Sequence, residues 1–366
     1  MHARKSEIKI DNKTISLNDP VYFIADIAAN HDGDLSRARD LIYIAAEAGA
    51  DAAKFQHFKA ETIVSDYGFR NMPKELQSHQ SSWEKSVFEV YGEASLNPDW
   101  TEILKETCVK AGIEFMTSPY SVELVDEVDP FVPAYKIGSG DITYFGVLEH
   151  IAKKGKPVIL ATGASIMSEV KDAVELIEKY NDNIILMQCN TNYTASLENF
   201  KYLKLRVLET YKKEFPGMIL GISDHTPGHS SILGAVALGA RVVEKHFTDD
   251  IHRIGPDHKF SMTPSTWKEM VKNCRELELA LGDGIKRVEG NEKTTVVVQR
   301  RAVRAAKNLK KGEVLGSEHL ISLRPCPPDG IPPCRINEIL GKKLSRDLKE
   351  GEHITEASLS HNAVLA

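Results

Sequence analysis

The chain has 366 residues, 42% of them hydrophobic and 27% charged, with 46 Lys and Arg against 52 Asp and Glu. Its length exceeds one ordinary domain, and the charge of -6 provides no electrostatic footprint for nucleic acid. The five cysteines are odd in number, scattered and without CxxC spacing, which excludes a disulfide framework or zinc knot, and no apolar stretch approaches the about 18 residues of a membrane span.

The N-terminal MHARKSEIKI runs into polar residues rather than an apolar signal core, so a cytoplasmic protein is expected, without nucleic-acid or membrane partners. A hairpin is predicted at Glu7 to Ile10 and Thr14 to Leu17, around Asp11-Asn12-Lys13. Apolar runs of strand type follow at Tyr22 to Ile27, Ala52 to Phe55, Ile113 to Met116, Ala134 to Ile137, Pro157 to Ala161, Ile184 to Gln188, Met218 to Ile222 and Val242 to Lys245. Helical patterns separate most of them, among them Leu35 to Ala48, Asp99 to Ala111, Val147 to Lys153, Ile166 to Lys179 and Leu197 to Glu214. Gly49, Gly155 and Gly239 stand as C-terminal glycines of three helices. Eight βα units without a GxGxxG at the first turn predict an α/β fold of the (β/α)8 TIM-barrel type rather than an open doubly wound sheet. Residues 57 to 98 hold Tyr67, Phe69, Trp83, Phe88 and Tyr91 and exceed what a βα loop needs, which predicts a lid or an interface element.

Near Val288 the pattern changes to short strands broken by Gly, Pro and charged turns. AAKNLKKGEVLGSEHL and SRDLKEGEHITEASL share one plan, which predicts a small β-rich domain with internal pseudo-twofold repetition. The expected division is a barrel domain over 1 to 285, a linker over 286 to 297 and a second domain over 298 to 366.

In a barrel of this type, functional side chains gather where strands end. Asp26, Asn30 and His31 follow the first strand, Lys54 and Gln56 end the second, and Thr117 and Ser118 follow the third. Lys136, Ser139 and Asp141 belong to the fourth, Thr162 to the fifth and Asn190 to Tyr193 to the sixth. Ser223 to Thr226 and Lys245 to Thr248 close the series. Two lysines beside hydroxyls suit an anionic substrate, although a Lys54–Asp26 pair inside the barrel is the plainer reading of that lysine. His225 and His246, emerging at neighbouring strand ends, suit a divalent ion with open positions, although two backbone-bonded core histidines have the same spacing. His31, His229, His252 and His258 are weaker candidates.

The segments FIADIAANHDGDLSRARDLIYIAAEAGADAAKFQ, YKIGSGD, SDHTPG, EKHFT and GPDHKFSM resemble, in order and spacing, the sialic acid synthase family of nonulosonic acid synthases. The C-terminal region resembles that family's antifreeze-like (SAF) module, including the Arg-Pro and Gly-Ile of RPCPPDGIPP. The resemblance implies a condensation of phosphoenolpyruvate with the open-chain form of an N-acetylated hexosamine, with release of phosphate. It implies that His225 and His246 bind Mn2+, or Mg2+ or Co2+, and that Lys54, Ser118, Lys136, Ser139, Thr191 and Ser223 hold phosphoenolpyruvate. Gln56, Tyr193 and Asp257 match sugar contacts, and Arg324 matches an arginine that reaches the acceptor in the partner's barrel, which implies a domain-swapped homodimer. Asp26 stands where the family usually has Glu, one methylene longer, in a role that stabilises the reaction's cationic carbon. Ile222, Thr194 and the extra residues of RPCPPDGI also depart from the pattern, near the acceptor. A different aldose acceptor, or a silent sugar-binding barrel, are the alternative readings.

Overall fold

The computed structural model describes residues 4–77, 80–81 and 83–360, so the ends of the two expected domains and positions 78, 79 and 82 of the long insertion lie outside the described residues. The chain divides into two compact units, with the boundary between Gly282 and Asp283. The first opens with an antiparallel hairpin, β1 (Glu7–Ile10) and β2 (Lys13–Ser16). Eight strands follow: β3 (Tyr22–Asp26), β4 (Ala52–His57), β5 (Glu114–Pro119), β6 (Tyr135–Ile137), β7 (Val158–Ala161), β8 (Ile184–Cys189), β9 (Ile219–Asp224) and β10 (Val242–His246). Each lies beside its predecessor and β10 closes onto β3, giving a closed parallel barrel as the βα alternation predicts.

Side chains of a strand alternate between its two faces. Phe23, Ala53, Phe55, Phe115, Leu160, Leu186 and Val243 join one buried cluster together with the apolar faces of the helices. Their strand neighbours Tyr22, Ile24, Ala52, Met116, Ile159, Met187, Ile219 and Val242 form a second cluster inside the barrel. The hairpin's Ile8, Ile10 and Ile15, each at most 1% exposed, join that inner cluster and close the end of the tube where the strands begin. Further along most of the strands the inward positions turn polar, at Asp26, Lys54, Ser118, Lys136, Ser223 and Glu244, and this change of side-chain character divides a packed floor from a polar mouth.

The helices follow the expected bounds closely. Asp34 caps Leu35–Glu47 by accepting the amides of Ser36 and Arg37, and Gly49 follows at φ +95°, a left-handed backbone that a Cβ would strain. One expectation differs: the stretch Leu197 to Glu214 is a 3-10 turn, Leu197–Lys201, and a separate helix, Val207–Glu214. Gln188 Nε2 donates to the Leu203 carbonyl at 2.9 Å and Lys204 lies at φ +51°, so the carbonyl that would continue the helix is already engaged. The long insertion carries helices Ala60–Ile63, Asp66–Asn71 and Val87–Ala94, the last opened by a Ser86/Glu89 capping box.

The second unit begins at Asp283, three residues before the expected linker, and Lys293–Gln299, which starts in that linker and runs two residues past it, is helical. Strands β11 (Ala302–Ala305) and β12 (Leu320–Leu323) pair antiparallel. The two repeats are related as their shared plan requires: Leu309 and Leu348 exchange both backbone hydrogen bonds, each at 2.9 Å. Lys311 N donates to Asp347 while Glu350 N donates to Asn308, the counterpart of Asp347. Gly312 and Gly351 turn at φ +84° and +78°. Leu315, Ile354, Leu309 and Leu348 fill the shared core.

Candidate active site at the barrel mouth

The register of the barrel brings the inward polar residues into one layer. Asp26 lies opposite Lys54 on one side and His246 on the other, Ser223 lies opposite Glu244 and Cys189, and Gln56 opposite Ser118. Lys54 Nζ is 2.7 Å from Asp26 Oδ2 and 3.9 Å from Glu244 Oε2. Lys136 Nζ lies 3.3 Å from Glu244 Oε1, which also accepts from Ser223 Oγ at 3.1 Å. Burial alone would lower the Lys54 ammonium, but Asp26 and Glu244 outweigh it and hold it above its ordinary value. Asp26 also accepts from the Ala28 amide at 3.1 Å and from Gln56 Nε2 at 3.4 Å. The plainer reading of Lys54 as an ion-pair partner is therefore correct, and the pair sits in the inward polar layer.

Six buried side-chain polar atoms among the described residues lack a hydrogen-bond partner, and three of them, Ser118 Oγ, Glu244 Oε2 and His246 Nδ1, belong to this layer. An unpaired buried polar group costs about 1–3 kcal/mol, so three together mark a place where a ligand completes the bonding. The rings of His225 and His246 have centroids 5.3 Å apart. Burial first, then His225 and Lys54, hold His246 well below its ordinary value, so it is a neutral imidazole with an available lone pair. His225 Nδ1 faces the Asn190 carbonyl at 3.2 Å; a carbonyl only accepts, so in the neutral ring Nε2 carries the lone pair. With His225 deprotonated, the two rings would each offer a nitrogen lone pair to a divalent cation. No group of three or more His, Cys, Asp or Glu among the described residues is arranged to hold one, so the remaining positions would fall to water or substrate oxygens.

On the β6 to β8 side, Ser139 Oγ accepts from the Gly163 amide at 2.9 Å. A Cβ at Gly163 would lie 1.9 Å from Thr191 Oγ1 and 2.9 Å from Ser139 Oγ, so glycine is required for these hydroxyls to approach one backbone amide. Cys189 completes this corner and is hydrogen-bonded to His225, which lifts His225 against the effect of burial. Tyr193 packs edge-on against His225 at 4.5 Å, and Phe260 packs on His246 at 4.8 Å and on Tyr193 at 5.3 Å. Asp257 accepts from the Ala29 amide at 3.1 Å, and burial pushes it up to about 6. Its loop is held by Asp32, which takes His258 and Arg253, each at 2.8 Å.

Twelve candidates, Asp26, Lys54, Gln56, Ser118, Lys136, Ser139, Thr191, Tyr193, Ser223, His225, His246 and Asp257, thus lie on the strand ends and loops of the first unit's mouth. Arg324, exposed and directly after β12, belongs to the second unit. Glu244 and Phe260 were not singled out from the sequence; Glu244 is two residues before His246 on one strand, and that parity is the signal for it. The same parity turns Lys245 outward, where it meets Asp224 Oδ2 at 2.6 Å in a buried structural cluster with Thr226 and Ser231. His57 bridges Thr117 and Thr101, and Thr162 accepts from Tyr211, so these polar residues serve packing.

A cavity of about 390 Å³ opens above the layer, walled by Gln56, Ser139, Thr191, Tyr193, His246 and Asp257 and by residues of the insertion. A larger depression, about 630 Å³ between Phe200–Val207 and Ser230, contains none of the candidates.

The NeuB family profile matches residues 41–286, and the SAF domain profile matches residues 300–360. The chain belongs to the NeuB family. This family member is 36% identical to N,N'-diacetyllegionaminic acid synthase of Legionella pneumophila over 345 residues, 91% of this chain and 94% of that protein. It is 33% identical to human N-acetylneuraminate-9-phosphate synthase over 340 residues, 92% of each chain. The crystal structure of N-acetylneuraminic acid (sialic acid) synthetase from Leptospira borgpetersenii in complex with citrate is similar at a TM-score of 0.69 and 29% identity, covering 81% of this chain and 97% of that one. Among the described residues no helix is long and apolar enough to cross a membrane.

Proposed function

We propose that this NeuB family member is a nonulosonic acid synthase, which joins phosphoenolpyruvate to the open-chain aldehyde of an N-acetylated hexosamine and releases phosphate. The reading is supported above all by the neutral set of Lys54, Lys136, Asp26 and Glu244 beside the unpaired Ser118 hydroxyl, at the same mouth as two imidazoles. Lysines and hydroxyls of this kind neutralise and orient carboxylate and phosphate. Lys54, Lys136, Ser118, Ser139, Thr191 and Ser223 hold phosphoenolpyruvate, and Gln56, Tyr193 and Asp257 contact the sugar.

In the bond-forming step the enol carbon of phosphoenolpyruvate attacks the aldehyde carbon, and the aldehyde oxygen takes up a proton to become a hydroxyl. The adjacent carbon is left cationic, and Asp26, fixed by Lys54 and the Ala28 amide, stabilises it electrostatically. Water adds to that carbon and loses its protons, the carbon–oxygen bond to phosphate breaks with the electron pair leaving on phosphate, and a ketone results. A divalent ion on His225 and His246, Mn2+ in the first place or Mg2+ or Co2+, supplies Lewis-acid polarisation of the aldehyde. The shorter Asp26 is compatible with this role because it already lies in the layer, 3.5 Å from His246 Nε2. Arg324 is assigned to the acceptor bound in the partner's barrel of a swapped homodimer.

The test is phosphate release from phosphoenolpyruvate with a panel of N-acylated and simple aldoses, with Mn2+ present and then chelated. Metal-dependent release with an N-acylated hexosamine is expected; the absence of release with every aldose tried would replace the reading with a silent sugar-binding barrel. Arg324→Ala is expected to raise the KM for the acceptor while leaving phosphoenolpyruvate binding intact, and equal loss of both would remove the swapped assignment.

A further inference from the structure

The two imidazoles of the mouth are held in different ways. His225 is turned by a hydrogen bond, since its Nδ1 faces the Asn190 carbonyl at 3.2 Å. His246 has no such tie. Its Nδ1 lacks a partner among the described residues, and its Nε2 faces Asp26 Oδ2 at 3.5 Å, beyond the about 2.7–3.2 Å of an ordinary N–H···O bond. The terminal torsion of a histidine is broad, so the ring does not fix its own plane. A cation nevertheless needs one nitrogen presented in one direction, a task that a hydrogen bond to the other nitrogen ordinarily performs.

Packing performs it here. Phe260 is the ring closest to His246, with centroids 4.8 Å apart and planes at 73°, against 5.3 Å for His225 and 6.4 Å for Tyr193. Such an edge-to-face contact is directional. Phe260 also lies 5.8 Å from His225 and 5.3 Å from Tyr193, so it closes a cluster of four rings around the imidazole pair. Its own place is fixed from both sides. The turn His258–Phe260 returns to the strand that carries His246, where Met262 N donates to the His246 carbonyl at 2.8 Å and Thr248 N to the Met262 carbonyl at 3.0 Å. His258, fully buried, bridges Thr248 Oγ1 and Asp32 Oδ1, each at 2.8 Å. A Cβ at Gly255 would lie 2.7 Å from the His258 ring, so glycine lets this turn close. We propose that Phe260 is a positioning residue of the cation site: its ring fixes the His246 plane that no hydrogen bond fixes, and thereby sets the affinity of the imidazole pair for the divalent ion. This rests on the reading of that pair as cation ligands.

The experiment measures Mn2+ affinity without substrates, counting free Mn2+ by electron paramagnetic resonance, with circular dichroism reporting that each variant is folded. Phe260→Leu is expected to weaken Mn2+ binding about tenfold, as loss of a ligand's orienting partner does. Phe260→Tyr, which keeps the ring, is expected to retain the parent's affinity. In a His246→Ala background, Phe260→Leu is expected to cause no further loss, because the ring acts through that imidazole. Unchanged affinity in Phe260→Leu, an equal loss in Phe260→Tyr, or the same tenfold loss without His246 each overturns the inference and leaves the condensation standing. A parent protein that binds no Mn2+ overturns the ligand pair and this inference together.

Discussion

Lys54 Nζ lies 2.7 Å from Asp26 Oδ2, with both side chains 2% exposed, on strands that pair in register at these two residues. The carboxylate that the proposed chemistry requires is therefore also the group that keeps a buried ammonium paired. Removing one member of a buried pair leaves an uncompensated charge, so Asp26→Asn is expected to destabilise the protein by about 3 kcal/mol in denaturant titrations. Phosphate release should fall by about 100-fold or more in the same variant, because charge stabilisation at the developing cation is lost. Unchanged turnover would remove Asp26 from the reaction.

Glu244 takes both lysines and the Ser223 hydroxyl, so it competes with an incoming anion for the same partners. Glu244→Gln is expected to tighten phosphoenolpyruvate binding by about tenfold in calorimetry without acceptor, since one opposing charge is gone. Its kcat should nevertheless fall, because the lysines lose the group that positions them. Weaker binding in the variant would mean that Glu244 holds the anion site together rather than opposing it.

His246→Ala is expected to abolish metal-stimulated phosphate release and to lower Mn2+ affinity at least about tenfold by titration of the free ion. Chelation of the unmodified protein should reproduce the kinetic loss and be reversed by added Mn2+. Activity that survives both treatments would take the imidazole pair out of the ligand set.

Asp257 has a pKa raised by burial from the ordinary 3.8 to about 6, and Asp141 is raised by burial to a similar value. Between these limits the folded chain holds protons that the unfolded chain releases, so the free energy of unfolding falls as pH rises from about 4 to about 6 and is level above. Each carboxyl accounts for about 2 to 3 kcal/mol of that fall. Asp257→Asn should flatten its share of the decline in denaturant midpoints measured across this window. A variant whose pH profile matches the parent would show that Asp257 ionises freely in the folded chain.

Much of this architecture was legible because burial leaves a plain trace in sequence. A fully buried parallel strand reads as an apolar run, and the eight runs end within three residues of the observed strand ends, from Tyr22 at the first to His246 at the last. The polar residues placed directly after those runs were legible for the same reason: chemistry at a barrel mouth interrupts an apolar pattern. Glu244 was hidden because Glu-Lys-His reads as a single charged exit, and only the inward or outward parity of β10 separates the inward Glu244 and His246 from the structural Lys245. Phe260 was hidden because its role depends on a loop that returns to the mouth through Asp32, His258 and Arg253, far apart in the chain. The break at Leu203 escaped because the side chain that captures its carbonyl, Gln188, comes from another strand.

The three isoleucines of the N-terminal hairpin make the barrel a cul-de-sac. Traffic runs through a single doorway, so whatever rests deepest, on Lys54 and Lys136, must be loaded first, and a sugar already seated above it would bar the way. The proposed reaction accordingly has a compulsory queue, the enol ester before the aldose, and the sealed floor sets that order as firmly as any catalytic side chain.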